Sequence, residues 1–355
     1  MWRVWQPFAE LQKRGFIAEW CFKDDADMVL PMVAHGRYDA VITPRIVWPT
    51  EGIGAQWLNS IHKAGLAWIY EVDDDVFTTR IVDRQARLFE SEAKKGKEQL
   101  EWERLERIKL LSQADGVTVS SQRLATIVRG VAPENTPVYV IPNAIDAEWW
   151  KQMLKGYARL PELRDKLTIG WCGGTRDEID LKEMAIAWGI IAERYPDVHF
   201  VAQGYITDTL ANAVPQHRRS TLPWVDLAQY PAAMLNFDIG CCTVAPLLFN
   251  TSKTAIKWYE MTLGGACCVV SPTVYGREVT PGVNALVAET AEEWVTALSQ
   301  LIENEELRRN LYREARRTIM EEHSLANNWW RWPEAWTDAI ERFQEKKARQ
   351  LVLAH

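Results

Sequence analysis

The sequence predicts a doubly wound α/β architecture in two domains, and three observations carry that prediction. Short β-branched or aliphatic runs alternate with stretches of helical periodicity, the signature of βαβ units and parallel sheets. The alternation runs through twice, interrupted between Asp146 and Lys166 by a segment that holds Lys, Gly and Pro but no strand, a plausible hinge. The 355 residues are too many for one simple core and suit two domains of ordinary size.

In the first series the expected strands are Ala18–Phe22, Ala40–Thr43, Ala67–Val72, Gly116–Ser120 and Val138–Ile141. Helices are expected near Phe8–Arg14, Met28–His35, Gly54–Lys63 and Gln122–Arg129. The stretch Asp83–Ser112 is rich in Glu, Lys and Arg, and reads as one long solvated helix or a helical pair. After Pro161 the second series places strands at Leu167–Cys172, Val198–Ala202, Ile239–Thr243, Ala266–Val270 and Ala285–Ala288. Its helices are Leu181–Arg194, Thr254–Leu263, Ala291–Ile302 and Leu307–Glu322. Beyond His323, Pro333 suits the first turn of a last helix, and Trp336, Ala339, Ile340 and Phe343 give that helix one apolar stripe. The expected division is 1–150, 151–325 and a terminal segment 326–355 crossing the domain junction.

Composition excludes several classes. Hydrophobic residues make up 47% and charged residues 25%, as in a soluble globular protein. Lys plus Arg number 41 against 48 Asp plus Glu, a net charge of −7, and the deficit is shared by both halves. Coating of nucleic acid by phosphate neutralisation is therefore not expected. No apolar run reaches the roughly 20 residues that span a bilayer, and the N-terminus lacks a signal-peptide pattern. A peripheral membrane contact stays open. Six cysteines, four of them in two adjacent pairs within apolar runs, have no CxxC spacing; buried thiols in a reducing cytoplasm are the expected reading. The 18 tryptophans fit no compositional class.

The densest chemical signal is the stretch from Pro246 to Met261. At about 100° per residue, Lys253, Lys257 and Glu260 share one helical face. Two lysines at a helix N-terminus suit an anionic ligand such as a diphosphate, and a carboxylate one turn on can accept from a sugar diol. The same spacing equally describes a Lys257–Glu260 surface pair.

Continued through Leu263-Gly264-Gly265-Ala266-Cys267-Cys268-Val269-Val270-Ser271, the stretch resembles the donor site of GT-B glycosyltransferases of the family-4-like, group 1 branch. Pro281-Gly282-Val283-Asn284-Ala285-Leu286-Val287 is similar to the strand that follows in that family, and Ile141-Pro142-Asn143-Ala144-Ile145-Asp146 to its "I-P-N-G-V-D" exit strand. The resemblance implies two Rossmann-like domains facing a cleft, with the last helix crossing back to the first. It implies a nucleotide-diphosphate sugar as donor, of UDP or GDP type, with no cofactor required. Glu260 would then bind the ribose, and Lys257 or Lys253 the diphosphate. Ser252 stands where the family commonly has a second Glu on the donor sugar, so Thr254 or the backbone near Ser252 is left to reach phosphate. The first strand and Gly-rich turn with which relatives open are missing from this reading, since Arg3–Leu11 already looks like the helix that follows them.

Other residues join the expected site. Gly173, Gly174, Thr175 and Arg176 form a strand exit where the backbone can approach phosphate and a guanidinium can neutralise it. Gln203 and Trp224 lie where this fold frames the base, and Trp171 and Trp224 are the stacking candidates. Trp329, Trp330, Trp332 and Trp336 are expected to pin the last helix.

The run Asp73-Asp74-Asp75 follows a strand, at a carboxyl edge where open α/β sheets bind ligands. Asp73 and Asp74 are expected to face the acceptor, with a neighbouring acid capping the next helix. Arg45 and Ser121, at other strand ends, complete the acceptor side. A metal-binding DxD is the weaker reading, because hard cations need convergent oxygen ligands. No histidine serves as general base: His62 and His217 have no evident partner, and His323 looks structural. Catalysis is expected to rest on Asp73, Asp74, Arg176 and Lys257, with anomeric configuration retained, no metal, and charge stabilisation of the departing diphosphate. The alternatives are a non-catalytic nucleotide-sugar-binding module, or a glycosyltransferase acting on modified phage-type DNA bases.

Overall fold

A computed structural model describes residues 3–20, 36–45, 53–89, 96–174 and 177–353. The chain forms two compact units, Met1–Ala144 together with Leu325–His355, and Ile145–Ser324. Among the described residues, no helix is long and apolar enough to cross a membrane.

The first unit is built on a parallel sheet of β1 (Ala40–Pro44), β2 (Ala67–Val72), β3 (Gly116–Val119) and β4 (Val138–Val140), in that spatial order. Helices α1 (Trp5–Lys13), α2 (Ile53–Lys63), α3 (Thr79–Phe89), α4 (Lys97–Leu111) and α5 (Gln122–Val131) precede or connect the strands. Strand β2 is buried along its whole length, as an inner strand with both faces covered must be. The charged stretch resolves into the helical pair α3–α4, because α4 turns Leu100, Leu110 and Leu111 inward.

One expectation differs from the structure here, and another falls outside the residues it describes. Residues 18–20 do not form a strand: Ile17 and Trp20 are both exposed, so the segment has no sheet face to fill. The helix expected at Met28–His35 lies outside the described residues.

The second unit carries β5 (Thr168–Gly173), β6 (His199–Gly204), β7 (Arg219–Leu222), β8 (Ile239–Cys242), β9 (Cys267–Val270) and β10 (Leu286–Val287), all parallel. Their order is β10-β9-β8-β5-β6-β7. The chain thus steps outward through β6 and β7, returns to lay β8 beside β5, and steps outward the other way. Strand β7 is absent from the sequence expectation. It is an edge strand of Arg-Ser-Thr-Leu, paired on one side only and half-exposed, so it needs no apolar alternation.

Around this sheet lie α6 (Ala147–Leu154), α7 (Lys182–Arg194), α8 (Ile256–Leu263), α9 (Ala291–Glu303) and α10 (Glu305–Thr318). Trp171, Trp188, Phe200, Trp294 and Leu298 fill the core beneath α7 and α9. The five described cysteines are buried free thiols.

The last helix, α11 (Arg331–Leu353), belongs to the first unit and packs on β2 and β3. Gly116 is required there, since a Cβ would come 2.8 Å from the Cβ of Ala339. Trp332 and Trp336 are buried, and Trp336 meets Phe8 of α1 edge-on at 5.5 Å between ring centres. Trp330 instead stays exposed. Between the two crossings of the chain, the Ile145 N–H donates to the His323 carbonyl at 3.0 Å and Ile145 pairs with Ser324.

Candidate functional site

In an open parallel sheet, ligands bind outside the carboxyl ends of the strands where the strand order reverses. In the second unit that point lies between β5 and β8. Gly173 ends β5 and Gly204 ends β6. Gly204 has φ +104°, and a Cβ on it would fall 2.3 Å from the Gly173 carbonyl oxygen, so only glycine permits this approach. The Gln203 amide is buried and donates to the Pro223 carbonyl, fixing the turn before Trp224. Trp224 lies against Gly174 and Gly204 and contacts Tyr205, with ring centres 5.5 Å apart. These two rings are 59% and 58% exposed, a bare aromatic face at the carboxyl edge. Trp171, the other stacking candidate, is buried in the core under Gly173. Thr175 and Arg176 lie outside the described residues.

The second cluster forms on α8. A 3-10 turn at Asn250–Ser252 precedes it, and Lys253 is extended (φ −73°, ψ 169°), so helical projection holds for Lys257 and Glu260 but not for Lys253. The Lys253 ammonium instead stands over the Phe249 ring, 4.8 Å from its centre. Ser252 is fully buried and its hydroxyl donates to the Phe249 carbonyl at 2.8 Å. Thr254 is half-buried just ahead of the helix. Glu260 is buried, and its Oε2 accepts from Lys257 Nζ at 2.7 Å and from the Tyr230 hydroxyl at 2.6 Å. Lys257 also donates to the Tyr230 oxygen and stands 5.1 Å from the centre of its ring.

Lys257, Tyr230 and Glu260 therefore close a triangle that pairs charge inside a largely dry wall. Burial above all, then the neighbouring Cys172 and Glu260, pushes the Tyr230 phenol well above its ordinary value, so it remains a donor. Burial also raises the Cys172 thiol, which lies 3.5 Å from the Tyr230 oxygen and stays neutral. Sequence reasoning missed Tyr230: it sits in a four-residue helix with no periodicity to mark it.

In the first unit the carboxyl edge holds Arg45, Asp73 and Asp74. Arg45 donates to Asp74 at 2.7 Å and lies 3.4 Å from Asp73, so the two acids share one guanidinium. Asp75 is buried and caps the start of α3, accepting from the Thr78 hydroxyl at 2.6 Å and the Thr78 N–H at 3.1 Å. Ser121 caps α5 by accepting from the Leu124 N–H. Beneath this edge Arg3 donates to Glu71 at 2.7 Å, and Thr118 donates to the same carboxylate. Burial holds the Glu71 carboxyl above its ordinary value although Arg3 and Thr118 pull the other way. His62 does have a partner, the Asp115 carboxylate at 2.9 Å, and stacks on Phe343. The sequence could not show this contact, which spans 53 residues. Among the described residues, no three His, Cys, Asp or Glu side chains converge as metal ligands.

Comparison with known proteins places this geometry. Residues 186–332 match the family model described as glycosyl transferase-like. No curated protein matches the chain. Among solved structures, Anabaena Alr3699/HepE in complex with UDP and glucose is similar at TM-score 0.59 and 15% identity, over 88% of this chain and 81% of that one. The E. coli trehalose-6-phosphate structure bound with UDP-2-fluoro glucose is similar at TM-score 0.56 and 15% identity, over 89% and 75%. S. aureus TarM, in a complex containing UDP, is similar at TM-score 0.55 and 10% identity, over 77% of this chain; the match spans 51% of TarM, about half its length. Two parallel Rossmann-like sheets give the chain the fold of these glycosyltransferases, and residues 186–332, which include the Lys257–Glu260 helix, are similar to the glycosyl transferase-like family.

Proposed function

We propose that the second unit binds a nucleotide-diphosphate sugar and that the chain transfers this sugar to an acceptor not yet identified. The carrying observation is convergence at one switch point. The Gly173–Gly174 exit, the exposed Trp224–Tyr205 face and the Lys257–Tyr230–Glu260 triangle all belong to the carboxyl side of one parallel sheet. UDP is the favoured nucleotide, since HepE, TarM and the E. coli protein carry UDP or a UDP-sugar in their solved complexes.

In this reading the base lies on Trp224, with Gln203 holding the turn that presents the ring. Glu260 accepts from the ribose diol. Both of its protein bonds end on Oε2, which leaves Oε1 the natural acceptor for the diol. Lys257, Lys253, Thr254 and the backbone near Ser252 take the diphosphate together with Gly173, Gly174, Thr175 and Arg176. Departure of the nucleoside diphosphate builds negative charge on its phosphate, and the cations arranged there lower the barrier most when charge has developed. Asp73 and Asp74, oriented by Arg45, with Ser121 nearby, serve the acceptor side. The reaction retains configuration and uses no metal; residues 151–325 form the donor domain and 1–150 the acceptor side, with the terminal helix in 326–355 belonging to the first unit.

Calorimetric titration with UDP, GDP, ADP and TDP tests the donor assignment. Glu260→Ala should weaken binding of the preferred nucleotide by about tenfold or more, the worth of a charge-assisted hydrogen bond. Unchanged affinity would remove the ribose role. A second reading, nucleotide-sugar binding without transfer, is favoured by the burial of Ser252 where the family commonly has a sugar-contacting Glu. Saturable binding with no turnover on any acceptor and no donor hydrolysis would decide for it.

A further inference from the structure

Asp180 closes the 3-10 turn Glu178–Asp180, one residue ahead of the N-cap position of α7. That position is Leu181, and it supplies no side-chain cap. The Asp180 carboxylate turns instead toward the loop that leaves β8. Its Oδ1 accepts from the Ala245 N–H at 2.9 Å and from the Asn250 side-chain amide at 2.7 Å. The Asp180 carbonyl accepts from the Thr243 hydroxyl at 2.7 Å. Asn250 in turn donates to the Ala245 carbonyl at 3.0 Å. Asp180 and Asn250 are 2% and 1% exposed, and Asp180 Oδ2 and Asn250 Oδ1 have no hydrogen-bond partner among the described residues.

A buried carboxylate beside a buried amide is a costly way to close a loop unless the placement it enforces matters. These bonds tie together the two loops that leave β5 and β8, the strands that flank the switch point. One loop begins with Gly173–Gly174, and the other ends in the turn that delivers Lys253 and α8. We infer that Asp180 and Asn250 are positioning residues that hold these two loops in register for the diphosphate of the donor. The inference rests on the proposed donor site and adds to it a pair 70 residues apart in sequence that does not itself touch the ligand.

The test compares Asp180→Ala, Asn250→Ala, their double variant and Asp180→Asn in the full chain. Measurements are UDP affinity by calorimetry, donor KM and kcat, and hydrogen exchange of peptides spanning 243–253. Asp180→Ala and Asn250→Ala should each raise the UDP Kd and the donor KM by about tenfold or more, with kcat changed far less. The double variant should be no worse than the weaker single variant, because the two act as one unit. Asp180→Asn keeps the acceptor for Ala245 and Asn250 and turns the unpartnered oxygen into a donor, so it should stay within about threefold of the parent.

Exchange in 243–253 should rise in Asp180→Ala without any ligand. If Asp180→Ala does not fold, Thr243→Val, which removes only the bond to the Asp180 carbonyl, should show the same exchange and KM changes in smaller measure. Parent-like UDP affinity in Asp180→Ala, additive losses in the double variant, or Asp180→Asn as weak as Asp180→Ala would each overturn the inference. A parent protein that binds no nucleotide, yet shows the exchange change, would overturn the donor reading instead.

Discussion

Tyr230→Phe isolates one oxygen atom of the candidate site. The phenol donates at 2.6 Å to a carboxylate that is almost wholly out of water, within the range of short, charge-assisted O–H···O⁻ bonds. Phenylalanine keeps the ring, and with it the edge contact to Trp150 at 6.1 Å and the stand of Lys257 over the ring face. What is lost is the bond to Glu260 together with the Lys257 bond to the same oxygen; the first alone, to a charged group that stays buried, is worth about 1.5–3 kcal/mol. The unit that holds it runs from Ile145 to Ser324, a length at which 1 kcal/mol moves the melting point by about 2–4 °C. Thermal unfolding followed by near-UV circular dichroism should therefore show a drop of about 3–12 °C. Nucleotide affinity should fall as well, because Glu260 keeps only Lys257 to orient it. A melting point and a UDP affinity both equal to the parent's would refute the claim that Tyr230 holds Glu260 in place.

Two further outcomes are expected. Gly204→Ala places a methyl 2.3 Å from the Gly173 carbonyl oxygen at φ +104°. The left-handed backbone and the overlap together should cost about 2–5 kcal/mol, read as a lower urea midpoint with weaker UDP binding, and an unmoved midpoint would contradict this. His199 is buried beside Ser220, and burial above all, then Lys166 and Arg218, lowers its pKa. The unfolded chain therefore binds this proton more readily than the folded one. Stability should be fully present above the ordinary histidine value near 6.5 and be lost as pH falls from there through the lowered folded value. His199→Gln should flatten that part of the stability–pH curve; a curve of unchanged shape would show that other groups carry it.

Most strands and the helix α8 were legible because parallel-sheet strands read as dense apolar runs and α8 as a 3.6-residue rhythm. Lys257 and Glu260 were found for the same reason, being three residues apart on one helix. Lys253 was misprojected because a 3-10 turn and an extended residue stand between it and the helix. Tyr230 and Asp180 were invisible to local pattern. Their partners lie 27 to 70 residues away, and only the folded sheet brings those loops together. Trp171 shows the converse limit, because every position of β5 is buried and a core tryptophan there looks like a stacking one. Strand β7 was missed because an edge strand can be written in polar letters.

The contact between Ile145 and Ser324 has a modular consequence. The chain enters and leaves the second unit at neighbouring points, so this unit is a closed insert within a first unit assembled from both ends of the polypeptide. Cutting at those two points would yield one continuous segment whose ends already meet, with its own core and the whole candidate donor site. The remainder would need only a short splice from Ala144 to Leu325 to keep α11 on its sheet. A cassette of this kind can be exchanged between chains, so under the proposed assignment a new donor preference can be acquired while the first unit is left as it was.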